Sequence, residues 1–134
     1  MKTGIKKGLL ALLLCACMQP AFAQTKPKWV APAAANNRKN PVAANATVVS
    51  QGKTLYTTNC VPCHGAKGKG DGAAAAALNP KPADHSSMAI QSESDGSLFY
   101  KMSEGRNPMP AYKAMLTEPQ RWALVDYIRT LKKK

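Results

Sequence analysis

The chain has 134 residues, 45% of them apolar, with 19 Lys and Arg against 7 Asp and Glu for a formal charge of +12. That length allows one domain with extensions, the composition is that of a folded rather than a disordered chain, and no apolar run reaches the ~20 residues of a membrane-spanning helix. Four cysteines suggest a two-disulfide secreted scaffold until their positions are considered.

Residues 1–23 read as a secretory signal. Lys2, Lys6 and Lys7 form the basic start, Gly8 to Cys17 the short apolar stretch, and Ala21-Phe22-Ala23 the small-x-small cleavage site, so the mature chain is expected to begin at Gln24. An uncleaved anchor facing the periplasm and lipid attachment at Cys17 are the alternatives. Cleavage removes Cys15 and Cys17 and three of the basic residues, leaving two cysteines in an exported chain with 16 basic and 7 acidic residues, net +9. Export points to the periplasm and to an oxidising compartment.

Residues 24–46, rich in Ala, Pro, Asn and Lys, show no apolar period and read as a flexible tether; Trp29 is the one aromatic able to pin it to a domain surface. From Thr47 the pattern changes. Val48, Gly52, Leu55 and Tyr56 share one helical face running into Cys60, and Gly52, which costs ~1 kcal/mol against Ala inside a helix, predicts a close helix crossing. Residues 65–87, with glycines at 65, 68, 70 and 72 and prolines at 80 and 82, read as a loop with one turn in the alanines 73–77. A second helix fits Asp95 to Ser103, with Leu98, Phe99 and Met102 inward and Gly105 as its stop. Asn107-Pro108-Met109-Pro110 cannot be helical. The last helix opens at a Thr117 cap with Gln120 three residues on, tolerates Pro119 in its first turn, and carries the stripe Leu124, Tyr127, Ile128, Leu131. The fold class is therefore all-α, three to four short helices and long loops over residues 47–134. So few large apolar side chains make a marginal core, and something else is expected to fill the middle.

Cys60-Val61-Pro62-Cys63-His64 supplies it. C-x-x-C-H is the pattern of covalent c-type haem attachment: two thiols three positions apart form thioethers to the vinyl groups on one porphyrin edge, and the adjacent imidazole ligates the iron. A thioredoxin-like motif would need a βαβ setting, and a zinc site would need two ligands more, whereas only His85 remains among Cys and His. The glycines at 65–72 lack the rest of a phosphate-binding pattern and are read as letting the backbone pass close to the haem edge.

From Val48 to Leu131 the chain resembles the class I c-type cytochromes, particularly small bacterial monohaem domains, in the stretches GKTLYTTNCVPCHGAKGKGDG, LNPKPAD, SLFYKMSEGRNPMPAY and LTEPQRWALVDYIRTL. The resemblance implies one haem c, held by Cys60 and Cys63 with His64 as proximal ligand, and a crossing of N- and C-terminal helices in which Gly52 and Tyr56 meet Leu124 and Tyr127. It implies Met109, ahead of the proline of MPA, as the distal ligand, and a proline-framed loop is a rigid mount for sulfur. Met102 and Met115 read as core methionines. His/Met ligation raises the reduction potential. Pro80 is expected to offer the carbonyl that orients His64. His85, following PAD where many family members carry an aromatic or aliphatic residue, reads as a surface or propionate-side histidine, with a rival axial ligand as the alternative.

Motif, export signal and resemblance together point to a periplasmic one-electron carrier between respiratory or dehydrogenase partners, not an enzyme. Lys67, Lys69, Lys81 and Lys113 are candidates for docking an acidic redox partner, with a generically basic surface as the alternative and no role for nucleic acid. Two other readings stay open: a tethered subunit of a larger redox complex, and a ligand-binding or sensing haem protein if Met109 is not a stable ligand.

Overall fold

A computed structural model describes residues 28–133; residues 1–23, read as a secretory signal, and the first residues of the segment read as a tether lie outside them. Among the described residues there are six α-helices: α1 Ala33–Asn36, α2 Ala46–Asn59, α3 Val61–His64, α4 Met88–Gln91, α5 Asp95–Glu104 and α6 Glu118–Thr130. Short 3-10 turns stand at Ala75–Ala77, within the alanine run, and at Tyr112–Ala114. There is no strand among the described residues, only an isolated bridge between Arg106 and Met109.

The helix ends follow local chemistry. Asn45 caps α2 by accepting from the Val48 amide, and Ser94 caps α5 by accepting from that of Ser97. Thr117 and Gln120 form the expected reciprocal capping box of α6. Gly105 ends α5 with φ +65°.

Helices α2 and α6 cross against each other and form the centre of the fold. At the crossing a Cβ on Gly52 would lie 2.0 Å from the Ala123 carbonyl oxygen, so only glycine permits this approach. Tyr56 on α2 sits 5.1 Å from Tyr127 on α6, ring centre to ring centre. The core gathers Tyr56, Leu98, Phe99, Met102, Trp122, Leu124, Val125 and Ile128. Trp122 is its largest fully buried side chain and stacks on Phe99 at 4.0 Å; such a pair is worth ~1 kcal/mol beyond the area it buries. The α6 stripe read from the sequence begins at Leu124, two positions past Trp122, whose size alone could have marked it as the anchor. Met102 is buried as expected, whereas Met115, read as a core residue, is 58% exposed; the turn at Tyr112–Ala114 points Tyr112 inward in its place.

The described part of the segment read as a flexible tether, residues 28–46, is laid across α5 and α6 as a strap. Arg38 lies over the rings of Phe99 (4.6 Å) and Trp122 (5.4 Å) and pairs with Glu118. Asn40 Nδ2 donates to Asp126 Oδ1 at 2.8 Å, and the Ser94 hydroxyl donates to the Asn36 carbonyl at 2.7 Å. Trp29 sits by Lys101 (5.8 Å) and Arg106 (5.9 Å), so it does pin the segment to the domain. Low apolar content hid this because the anchors are polar groups whose partners lie some sixty to ninety positions away. No described helix is long and apolar enough to cross a membrane.

Candidate functional site

Cys60 is the hinge between two helices. It is the C-cap of α2, its amide bonded to the Tyr56 carbonyl at 2.8 Å, and its own carbonyl accepts from the His64 amide at 2.8 Å to open α3. Pro62 suits the first turn of α3, where an amide hydrogen has no partner to lose. This single turn brings Cys60, Cys63 and His64 together. Neither cysteine is in a disulfide and both are half-buried. Burial, reinforced by the Cys63 thiol, pushes Cys60 up to about 12, so it is a protonated thiol at neutral pH.

The loop after the motif folds back on α3. Gly70 donates to the His64 carbonyl (2.8 Å), Gly72 to that of Cys63 (3.1 Å) and Ala74 to that of Pro62 (2.9 Å). A Cβ on Gly72 would stand 2.4 Å from the Pro62 oxygen, and Gly70 has φ +74° with Pro82 pressed against it. Gly70 and Gly72 are therefore required where protein backbone packs closely on α3 and the loop.

His64 is buried, and burial lowers its pKa, so the ring is neutral. Its Nδ1 lies 2.9 Å from the Ala83 carbonyl oxygen. A carbonyl only accepts, so Nδ1 carries the hydrogen and Nε2 keeps a lone pair for a metal. The orienting carbonyl belongs to Ala83, not to Pro80. Both prolines of the loop precede it in the chain, and only the closure of the loop chooses the carbonyl.

His85 is not a surface histidine. It is buried, and its ring stacks on His64 at 3.9 Å and 18°.

Met109 stands in a tight turn, its amide donating to the Arg106 carbonyl (2.8 Å) and its carbonyl accepting from the Arg106 amide (3.0 Å). It is half-buried and, with Cys60 and Val61, packs against the same core. Three residues on, the Tyr112 hydroxyl donates to the Asn59 carbonyl at 2.7 Å, directly before Cys60. Burial and then the thiols of Cys60 and Cys63 push that phenol up to about 12. Sequence reasoning passed over Tyr112, although it is the contact that ties the Met109 loop to the cysteines. Met88 and Met115 are both well exposed. A groove of about 430 Å³ lined by Val42, Val48, Leu55, Pro119 and Ala123 holds none of the candidate ligands.

Residues 49–132 match the family model of cytochrome c. This chain belongs to the cytochrome c family. The match spans the C-x-x-C-H turn and all of α2 to α6 but three residues at the start of α2, and the family implies a covalent c-type haem and electron transfer through it. The donors present fit that group: two free thiols one turn apart and a neutral imidazole with Nε2 uncommitted. No curated protein matches the chain. Among solved structures, it is similar to a chain of the "Kuenenia stuttgartiensis reducing HAO-like protein complex Kustc0457/Kustc0458" (27% identity, TM-score 0.62, covering 69% of this chain). This cytochrome spans about half of that chain, 47% of its length. It is also similar to the "KustC0563 c-type cytochrome" (28% identity, TM-score 0.54, covering 61% of this chain and 98% of that one).

Proposed function

We propose that this cytochrome is an exported, periplasmic one-electron carrier holding one haem, with Cys60 and Cys63 as thioether donors, His64 as proximal ligand and Met109 as distal ligand. The observation that carries the reading is the commitment of His64 Nδ1 to Ala83 at 2.9 Å, which leaves Nε2 as the single free donor of a ring standing one turn from two free thiols. When bound, the haem supplies a one-electron couple at its iron. The chain's own part is to hold the ligand set still between the two oxidation states, so that little rearrangement accompanies transfer. Met109 favours the reduced form as a thioether ligand. With both axial positions taken by protein, no site is left for a substrate, so the reading is of a carrier and not an enzyme.

The partners are redox proteins with an acidic face. Of the four lysines proposed for docking, Lys113 pairs with Glu104 at 2.6 Å and Lys81 donates to the carbonyls of Ala75 and Ala76. Lys67 and Lys69, in the loop beside His64, have no ion pair among the described residues and are the two that remain for a partner. A fixed subunit of a redox complex is the second reading, favoured by the likeness to a protein of a multi-component complex.

The test is the absorption spectrum of the protein matured in a host that attaches haem. A low-spin spectrum with the weak far-red sulfur-to-iron band in the oxidised form is expected, and the band should vanish in Met109→Ala. A high-spin spectrum in the unmodified protein overturns Met109 ligation in favour of ligand binding, and the absence of covalent haem overturns the whole reading. Stoichiometric co-purification with a partner selects the subunit reading.

A further inference from the structure

We infer that His85 is a positioning residue for the proximal ligand: its ring, held by Tyr56, fixes the plane in which the His64 imidazole presents Nε2. The inference rests on the reading of His64 as an iron ligand and goes beyond it.

An imidazole bound through Nε2 can rotate about the bond to its metal. The Ala83 carbonyl restrains one edge of the ring, and a hydrogen bond to a single atom leaves room for the ring to swing about it. A flat surface against the ring face removes that freedom, and His85 is such a surface, parallel to within 18° at 3.9 Å. To act this way the second ring must itself be immobile. Its amide donates to the Gly68 carbonyl at 2.6 Å, and its carbonyl accepts from Gln91 Nε2 at 2.7 Å. The same Gln91 nitrogen donates to the Ile128 carbonyl of α6 at 2.8 Å, which ties this backbone to the central crossing. The ring is held at its far side by the Tyr56 hydroxyl, 3.0 Å from Nδ1, and Tyr56 is fully buried on α2. Behind it, a Cβ on Gly68 would come within 3.1 Å of the His85 Cβ, so the residue is also backed by close packing. The proximal plane is thus referred through His85 to α2, α4 and α6 together. Leucine would fill the space without a flat face, and phenylalanine would keep the face without the bond to Tyr56.

The experiment uses the haem-loaded, oxidised protein and the proton NMR hyperfine shifts of the haem methyl groups, whose order and spread report the orientation of the axial ligand planes. His85→Leu is expected to change the order or the spread of these resonances. His85→Phe is expected to lie closer to the unmodified protein than His85→Leu does, and Tyr56→Phe, which keeps the buried ring and loses only the hydroxyl, to give a smaller change in the same direction. An unchanged methyl pattern in folded, haem-loaded His85→Leu overturns the inference, as does an equal disturbance by leucine and phenylalanine. Both results leave the proposed function standing, because covalent haem and the far-red band are read separately in the same samples. Loss of either of those in the unmodified protein counts against the function itself.

Discussion

The two candidate axial ligands are mounted differently. His64 is held through its side chain: a carbonyl on one edge, a stacked ring on its face, and a loop whose amides return to its own helical turn. Met109 is held through its main chain, in a turn closed by two hydrogen bonds to Arg106 and tied to the motif through Tyr112. An imidazole has a plane that must be set, whereas a thioether needs only to be brought to the right distance. The proximal mount should therefore be stiff and the distal one exchangeable, and substitutions on each side should show it.

The largest effect is expected where both mounts share a support. Gly52→Ala drives a methyl group into the Ala123 carbonyl and should cost about 3 kcal/mol, seen as a large drop in Tm of the haem-loaded protein with both ligands weakened together. Next comes Gly70→Ala, which forces a side chain onto a backbone of φ +74° against the Pro82 oxygen. It should cost about 2 kcal/mol and disturb the haem methyl resonances, while the far-red band persists. Tyr112→Phe removes one buried hydrogen bond, worth about 1 kcal/mol, and acts on the other side alone. Added imidazole should then displace the sulfur at a lower concentration than in the unmodified protein, followed as loss of the far-red band, with the proximal resonances little moved. If Tyr112→Phe and Gly70→Ala loosen both ligands alike, the contrast between the mounts fails.

The smallest effect serves as a control remote from both ligands. The Asp126 carboxyl is held above its ordinary value by burial first, then by Asp95, against the opposing hydrogen bond from Asn40. Its charged form is thus disfavoured in the folded protein, which binds the proton more tightly than the unfolded chain. Stability should fall as pH rises from the ordinary carboxyl value of about 4 through the raised one, and the full penalty applies above it. Asp126→Asn should melt slightly higher at neutral pH, with the gap closing in acid and the haem spectrum unchanged. A gap that widens in acid would contradict the assigned direction.

Much of the fold and the site was legible in the chain itself. Cys60, Cys63 and His64 could be singled out together because attachment to one macrocycle edge would demand a fixed local spacing, and spacing is a property of sequence. The α6 cap at Thr117 and Gln120 and the stop at Gly105 were equally local, each satisfied within one turn. Gly52 announced a close crossing because a glycine inside a helix is costly unless something needs the space. Sequence alone thus determined the all-α class, the crossing helices and the C-x-x-C-H turn on which the proposed haem attachment rests. The tertiary structure decided what depends on residues far apart in the chain. Ala83 rather than Pro80 meets His64, because loop closure selects the carbonyl. His85 lies on the proximal ring instead of at the surface, because Tyr56, Gly68 and Gln91 hold it there from three separate segments. Residues 28–46 became a strap because Arg38 and Asn40 find Trp122 and Asp126 on α6. Periodicity reports which face of a helix is apolar; it carries no information on which distant polar atom completes a buried hydrogen bond, and such bonds hold the His64 and His85 rings where they are.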